Sequence, residues 1–353
     1  MEPEHGVFVA AGDGFVELFI VLVFEFGFGA FPERAGGIDL FGFVAFGQVN
    51  RKGDVVGILL DDVAEFPAVG VIFSVLIEMD GNRGTLLLPL GRLDVEAGFA
   101  SDLGAEKFFN IKCRKAGLNP AMSVLVATSQ ALKLSGGIAE DKMKLPDMNA
   151  LTRGLQNMEK HISILKSFDQ KVLVVLNRHH FDSEEEIAFM RNWCKEKLVA
   201  FAVNDAFSKG GDGAVEMAQA VVDICKAPSP PLHFTYDLSD DIETKMRKIV
   251  TRIYGGKDVV FYKKAQDMIK KIKKLGLEHL PVCMAKTQYS FTDDPTVSGL
   301  DGNFKIDVED IVINRGAGFI VAVCGEIMRM PGLPKVPQAN FIDVVNGKIV
   351  GVS

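Results

Sequence analysis

Lysine is almost missing from the first 93 residues of this 353-residue chain: Lys52 stands alone there, and the stretch has no tyrosine, tryptophan or cysteine. The whole chain has one tryptophan and five cysteines (Cys113, Cys194, Cys225, Cys283 and Cys324), scattered and without CxxC spacing. Neither a disulfide framework nor a zinc cluster is expected from them, which fits a reducing compartment. Basic excess is also absent, with a net charge of −7, so a dedicated nucleic-acid binder is not expected. The most apolar run, 18–24, spans seven residues between Glu17 and Glu25, whereas a membrane span takes about 20. It reads as a buried strand, and no membrane partner is expected. The chain opens Met1-Glu2-Pro3-Glu4, without the basic start of a secretory signal or the arginine richness of an organelle-targeting peptide. The sequence contains no GxxxxGK[ST] phosphate loop, no GxGxxG before a helix and no GxSxG nucleophile elbow, so neither nucleotide nor hydrolase chemistry has local motif support.

What those 93 residues do contain is phenylalanine, twelve of the chain's 26. Short strand-like stretches at 55–60, 69–77 and 85–90 are separated by glycine and aspartate. Phe-rich, Lys-poor composition is what the opposite DNA strand of a Glu/Lys-rich gene encodes, because GAA and AAA codons read back as TTC and TTT. Residues 1–94 are therefore set apart as an anomalous segment and a candidate gene-model artefact.

The rest of the chain is lysine-rich and ordinary. Runs at 123–128, 171–177 and 198–204 are continuously apolar, as strands buried on both faces of a parallel sheet are. The spacing between them suits crossover helices. Ser183 and Glu186 form a capping-box pattern, and Ile187, Met190, Trp193, Cys194 and Leu198 follow at helical spacing, so Trp193 and Cys194 read as core. A second unit starts after Ala227-Pro228-Ser229-Pro230-Pro231. It has one helix face at Ile242, Met246, Ile249, Val250 and Ile253, ending at Gly255, and a second helix from Phe261 to Leu275, ending at Gly276. That second helix carries Lys263, Lys264, Lys270, Lys271, Lys273 and Lys274. A solvated face is the expectation, with attraction of a polyanionic ligand tail as the sharper alternative. The expected division is 1–94, 95–227 and 228–353.

Ligand crevices in open parallel sheets lie outside the carboxyl ends of the strands. Three such ends carry unusual residues: Thr128 to Lys133 with Ser135-Gly136-Gly137, then Asn177 to Asp182, then Asn204 to Gly213. Glycine-rich loops permit close backbone approach to a ligand. Phe207 has no core stripe to join, so it reads either as a platform for a flat ring or as a side chain folded back on the sheet edge. His179 and His180 are neighbours, and on extended backbone they point apart, which is poor geometry for one metal; no metal site is expected.

Three long segments resemble the formate–tetrahydrofolate ligase (10-formyltetrahydrofolate synthetase) family. They are Glu96-Ala97-Gly98-Phe99-Ala100-Ser101-Asp102-Leu103-Gly104-Ala105-Glu106-Lys107-Phe108-Phe109-Asn110-Ile111-Lys112-Cys113-Arg114, then Leu280-Pro281-Val282-Cys283-Met284-Ala285-Lys286-Thr287-Gln288-Tyr289-Ser290, then Gly325-Glu326-Ile327-Met328-Arg329-Met330-Pro331-Gly332-Leu333-Pro334. The resemblance covers about 95–353, the family's C-terminal half. It implies an α/β fold, a parallel sheet with helices on both faces (P-loop NTPase-like, incomplete here) with smaller α/β units at the C-terminus. It also implies a cytoplasmic homotetramer acting on small molecules, with an organelle still open. The implied reaction makes 10-formyltetrahydrofolate from formate, tetrahydrofolate and ATP with its Mg²⁺, through formyl phosphate, in one-carbon metabolism.

By the same resemblance, Phe207 before Ser208-Lys209-Gly210-Gly211 stacks the pterin where the family commonly has tryptophan. His179-His180 replaces an aromatic–proline pair on the opposite wall. Phe99 is a pocket aromatic, Val203 an apolar wall residue, and Lys286, Thr287, Gln288 and Tyr289 line the nucleotide and folate side of the cleft. Ser129-Gln130 and Ser135 depart from the family pattern of an aliphatic–arginine pair and a histidine. The family keeps its phosphate loop in the half not matched here, so no catalytic residue is assigned and this chain is expected to have little or no activity. The alternative is a non-catalytic paralogue that binds folate or joins an oligomer.

Overall fold

The computed structural model describes residues 100–325 in full and, as backbone strands only, 25–26, 40–41, 71–78, 92–99, 343–345 and 348–350. Two short antiparallel ladders, β1 (Glu25–Phe26) with β2 (Leu40–Phe41) and β13 (Asp343–Val345) with β14 (Lys348–Val350), flank the main body in sequence. Of the early strand-like stretches, 69–77 coincides with β3 (Val71–Glu78); 18–24, 55–60 and 85–90 lie outside the described residues.

The main sheet has five strands in the order β4 (Arg92–Phe99), β3, β5 (Pro120–Ala127), β6 (Val172–Asn177), β7 (Ala200–Asn204). The pairs β5–β6 and β6–β7 are parallel, as the three apolar runs predict. β3 is antiparallel to both its neighbours, so β4 runs in the same direction as β5. The register places Phe99 opposite Ile72, Ile72 opposite Val126, and Val126 opposite Val175. The ends of β4, β5, β6 and β7 therefore share one edge of the sheet.

Alternation along the strands separates two apolar layers, because successive side chains point to opposite faces. Leu125, Ala127, Val174 and Leu176 face one core with Leu151, Leu155, Met158 and Ile162 of α3 (Met148–Ser167) and Ile187, Met190 and Cys194 of α4 (Glu184–Glu196). Val124, Val126, Leu173, Val175 and Ala202 face the other, covered by Met217, Val221 and Cys225 of α6 (Val215–Cys225). The parallel strands thus have helices on both faces. Arg114–Ala116 (α1), Ser129–Ser135 (α2) and Ala206–Lys209 (α5) are short connecting helices.

The larger core continues through the C-terminal unit. It takes in α7 (Ile242–Ile249), α8 (Lys263–Lys274), the parallel pair β8 (Asp258–Phe261) with β10 (Lys305–Val308), and β9 (Val282–Ala285), β11 (Asp310–Asn314) and β12 (Phe319–Val323). β12 lies between β9, to which it is parallel, and β11, to which it is antiparallel. The helix expected from Phe261 starts instead at Lys263, because Phe261 closes β8, pairing with Val308. It ends before Gly276, whose φ of 66° only glycine adopts without strain. α7 runs on as a π-helical turn, Val250–Tyr254, to Gly255 at φ 86°. Among the described residues no helix is long and apolar enough to cross a membrane.

Both halves of the capping box form: Glu186 N–H donates to Ser183 Oγ, and Ser183 N–H donates to a Glu186 carboxylate oxygen. Trp193 is half-buried against the core, and Cys194 is buried, where desolvation pushes its thiol up to about 12. Leu198 corrects the helical stripe. α4 ends at Glu196, Val199 N–H returns to Cys194 O at 2.9 Å, and Leu198 sits at φ 53° with its side chain 90% exposed.

Candidate functional site

The loops after β5, β6 and β7 are fastened to one another by side chains. Asn177 and Asn204 end adjacent strands at the same register, and Asn204 Nδ2 donates to Asn177 Oδ1 at 3.0 Å. Arg178 N–H donates to Asn204 O at 2.9 Å. Asn204 Oδ1 also accepts from Ala206 N–H at 3.2 Å, which starts α5. Asp182 is buried and holds the other side: one oxygen accepts from His179 N–H at 2.8 Å, the other from the Ser129 hydroxyl at the start of α2. Sequence reasoning assigned no role to Asn177, Asn204 or Asp182. The available signal was an asparagine closing two successive apolar runs.

The loop after β5 is not the open glycine-rich loop that the sequence suggests. Thr128 Oγ1 accepts from Ala131 N–H and caps α2, so Ser129 to Ser135 is helical. Gly136 serves packing rather than ligand approach, since a Cβ there would lie 1.8 Å from Ala150 O on α3. The reciprocal contact is Gly154 against Leu132 O, also at 1.8 Å. In the loop after β7, Asp205 N–H bonds Gly213 O at 3.0 Å, and a Cβ on Gly213 would meet Asp205 O at 2.2 Å, so this glycine also lets backbone close on backbone. Gly210, at φ 59°, has open space around it, as Gly137 beyond α2 does at φ 86°.

Phe207 does not fold back onto the sheet edge. It lies on α5 with 65% of its surface exposed, next to Lys209, whose ammonium pairs with Asp205 at 2.8 Å. Val203, one residue before the end of β7, is half-buried and packs against the larger core. His179 and His180 converge on Phe181. His179 stacks nearly parallel to it, with ring centroids 5.2 Å apart, and the exposed His180 meets it edge-on at 4.8 Å. One face of His179 is therefore already covered by protein. Phe99 closes β4 on the same sheet edge, and its side chain lies outside the described residues.

Lys286 to Tyr289 form the turn directly after β9, which edges the three-stranded sheet β11-β12-β9. Lys286 is 5% exposed rather than open to a cleft, and it is joined to the main sheet through Asp102, in the π-helical turn Ala100–Ala105 that follows β4. The Lys286 ammonium lies 2.8 Å from Asp102 Oδ2. Desolvation opposes charge on Asp102, but Lys286 and, more weakly, other neighbours outweigh it and hold the carboxyl below its ordinary 3.8. His161 on α3 completes this cluster, with Nδ1 3.9 Å from Asp102 Oδ1 and accepting Ser101 N–H at 3.3 Å. Burial pushes His161 down to about 4, so it is neutral near pH 7. Sequence reasoning missed both Asp102 and His161. Asp102 sat inside a recognised segment, whereas His161 has no local signal, being one polar residue on a helix.

The arrangement is an edge of fastened loops bearing the exposed rings of Phe207 and His180, with the charges behind it paired. None of the contacts described supplies an activated nucleophile.

The family described as formate–tetrahydrofolate ligase matches residues 92–353. This chain belongs to that family. Among its curated relatives, the formate–tetrahydrofolate ligases of Parabacteroides distasonis and Bacteroides thetaiotaomicron are each 52% identical over 259 residues, which covers 73% of this chain and 47% of the relative. That of Campylobacter concisus is 50% identical over 260 residues, with the same shares. The chain thus spans about half the length of the curated relatives it matches. Phe99, the 178–182 loop, the 204–213 loop and the 286–290 loop all fall inside the matched region.

Proposed function

We propose that residues 92–353 form the folate-binding part of a formate–tetrahydrofolate ligase. In the intact enzyme, of P-loop-NTPase-like ligase architecture, formate takes the terminal phosphoryl group of Mg²⁺-bound ATP, giving formyl phosphate and ADP. The N10 amine of tetrahydrofolate then attacks the formyl carbon and phosphate leaves. Such phosphoryl transfer is governed by positioning and charge neutralisation around the phosphates. No residue of this chain is assigned that work, because the sequence lacks a GxxxxGK[ST] loop.

The observation that carries the reading is the exposed Phe207 on a sheet edge whose three loops are held together by Asn177, Asn204 and Asp182. Aromatic faces favour flat rings by offset stacking, and a loop already fixed before binding loses little entropy on capture. Phe207 is the pterin platform, Val203 its apolar flank, and His179 and His180 the facing wall. Gln288 and Tyr289 border the nucleotide side. Assembly as a homo-oligomer in the cytoplasm belongs to the same reading.

Equilibrium titration of the chain with tetrahydrofolate tests it: saturable one-to-one binding is expected, and its absence refutes the folate site. The missing phosphate loop favours, for this chain by itself, binding without turnover. Purified 1–353 is accordingly expected to form no ADP from ATP and formate, and turnover would refute that part.

A further inference from the structure

Lys286 has no proton to offer a ligand. A lysine ammonium carries three N–H donors. Here the Asp102 carboxylate takes one at 2.8 Å, Thr287 O another at 3.1 Å, and Ser290 O the third. The ammonium also lies over the Tyr254 ring, 4.9 Å from its centroid. The two carbonyls it binds bracket Gln288 and Tyr289. The backbone from Thr287 to Ser290 therefore closes around the buried charge and leaves Gln288 half-buried and Tyr289 41% exposed at the rim. Tyr289 N–H bonds Thr287 Oγ1 at 3.3 Å, and the Ser290 hydroxyl reaches Asp294 O at 2.8 Å, so short side chains continue the same tight loop.

The anchor of this loop is itself fixed from two sides. Asp102 follows β4 by three residues, past Ala100, which holds the left-handed φ of 57° that turns the chain inward. His161 joins it from α3, its ring packed 5.0 Å from Phe291 in the loop beyond Ser290. A buried charge pair of this kind adds little net stability compared with an apolar pair, but removing one partner alone leaves the other charge uncompensated.

We infer that Lys286 is a positioning residue, a buried peg that folds the 287–290 loop around its ammonium and ties it through Asp102 to the end of β4, so that Gln288 and Tyr289 face the ligand. The loop-folding role stands on the contacts alone; the role toward ligand rests on the folate and nucleotide reading above.

Lys286→Met alone leaves Asp102 buried without its counter-ion and endangers the fold. The informative variant of the full chain is therefore Asp102→Asn combined with Lys286→Met, compared with Lys286→Arg, which keeps the charge. Amide hydrogen exchange and titrations with tetrahydrofolate and with ATP are the readouts. In the double variant, exchange at residues 287–290 is expected to rise at least tenfold with β5, β6 and α3 unchanged, and affinity for one or both ligands to fall about tenfold. Lys286→Arg is expected to recover part of both losses. Unchanged exchange at 287–290, or a rise spread evenly over the molecule, overturns the peg. Faster local exchange with unaltered affinity overturns the role toward ligand. If the unaltered chain binds neither ligand, the folate and nucleotide reading fails, and the exchange comparison still decides the peg.

Discussion

Phe207→Ala separates an aromatic platform from an incidental surface residue. The ring is 65% exposed, so its removal takes little apolar area out of the core and should leave the melting temperature nearly unchanged. It sits on a one-turn helix started by the Asn204 side chain, and that contact does not involve the ring. Stacking of a flat heterocycle on an aromatic face contributes roughly 0.5–1.5 kcal/mol beyond area burial. The upper part of that range is expected here, because the 204–213 loop is pinned by Asp205 N–H to Gly213 O and needs no ordering on binding. About 1.4 kcal/mol is one decade in affinity, so tetrahydrofolate should bind about tenfold more weakly to Phe207→Ala. Phe207→Trp should bind as well as the parent or better, since it offers a larger face. Calorimetric titration of the three proteins, with circular dichroism and thermal melting to establish equal folding, gives the answer. Equal affinity for parent and Phe207→Ala, with all three folded, would refute the platform and with it the argument from exposure.

Three further predictions concern the frame behind that edge. Leu198→Gly should raise stability by about 1 kcal/mol, because the exposed leucine occupies a left-handed position after α4 that favours glycine; a lower melting temperature would contradict this. Gly136→Ala should lower stability by at least about 1–3 kcal/mol, since the new methyl meets Ala150 O, and a neutral result in chemical denaturation would show that α2 and α3 can separate cheaply. Glu186 is held below its ordinary 4.5: burial pushes it up, but the Asp147 N–H, Lys133 and Ser183 together outweigh that. A carboxyl depressed in the folded state contributes stability that is complete above its unfolded pKa of about 4.5 and is lost as pH falls through the lower folded value. The melting-temperature gap between parent and Glu186→Gln should accordingly shrink on acidification from pH 7 to below that window, and a constant gap would remove the ionic role.

The features legible in the sequence are local or periodic. The apolar runs at 123–128 and 171–177 had to be doubly buried strands, and Ser183 with Glu186 had to start a helix, because those signals lie within a few residues of one another; the run at 198–204 is a strand only from Ala200, at the sheet margin and partly exposed. The helix stops at Gly255 and Gly276 were equally legible, since a left-handed turn selects glycine from the local backbone alone. The family's three segments were legible for a different reason, being long and in order. Which residues meet across the chain depends on packing. Gly136 reads as a ligand glycine, but α3 packs against it. Leu198 fits the helical stripe, but the helix ends two residues earlier, and Lys286 reads as a cleft residue although all three of its protons are taken. Asp102, His161 and Lys286 are up to 184 positions apart in sequence and meet at one buried ion pair. No periodicity or short motif encodes such a meeting, because it is fixed by how the end of β4, α3 and the turn after β9 pack, and the low-dielectric interior then requires each charge to find its partner there.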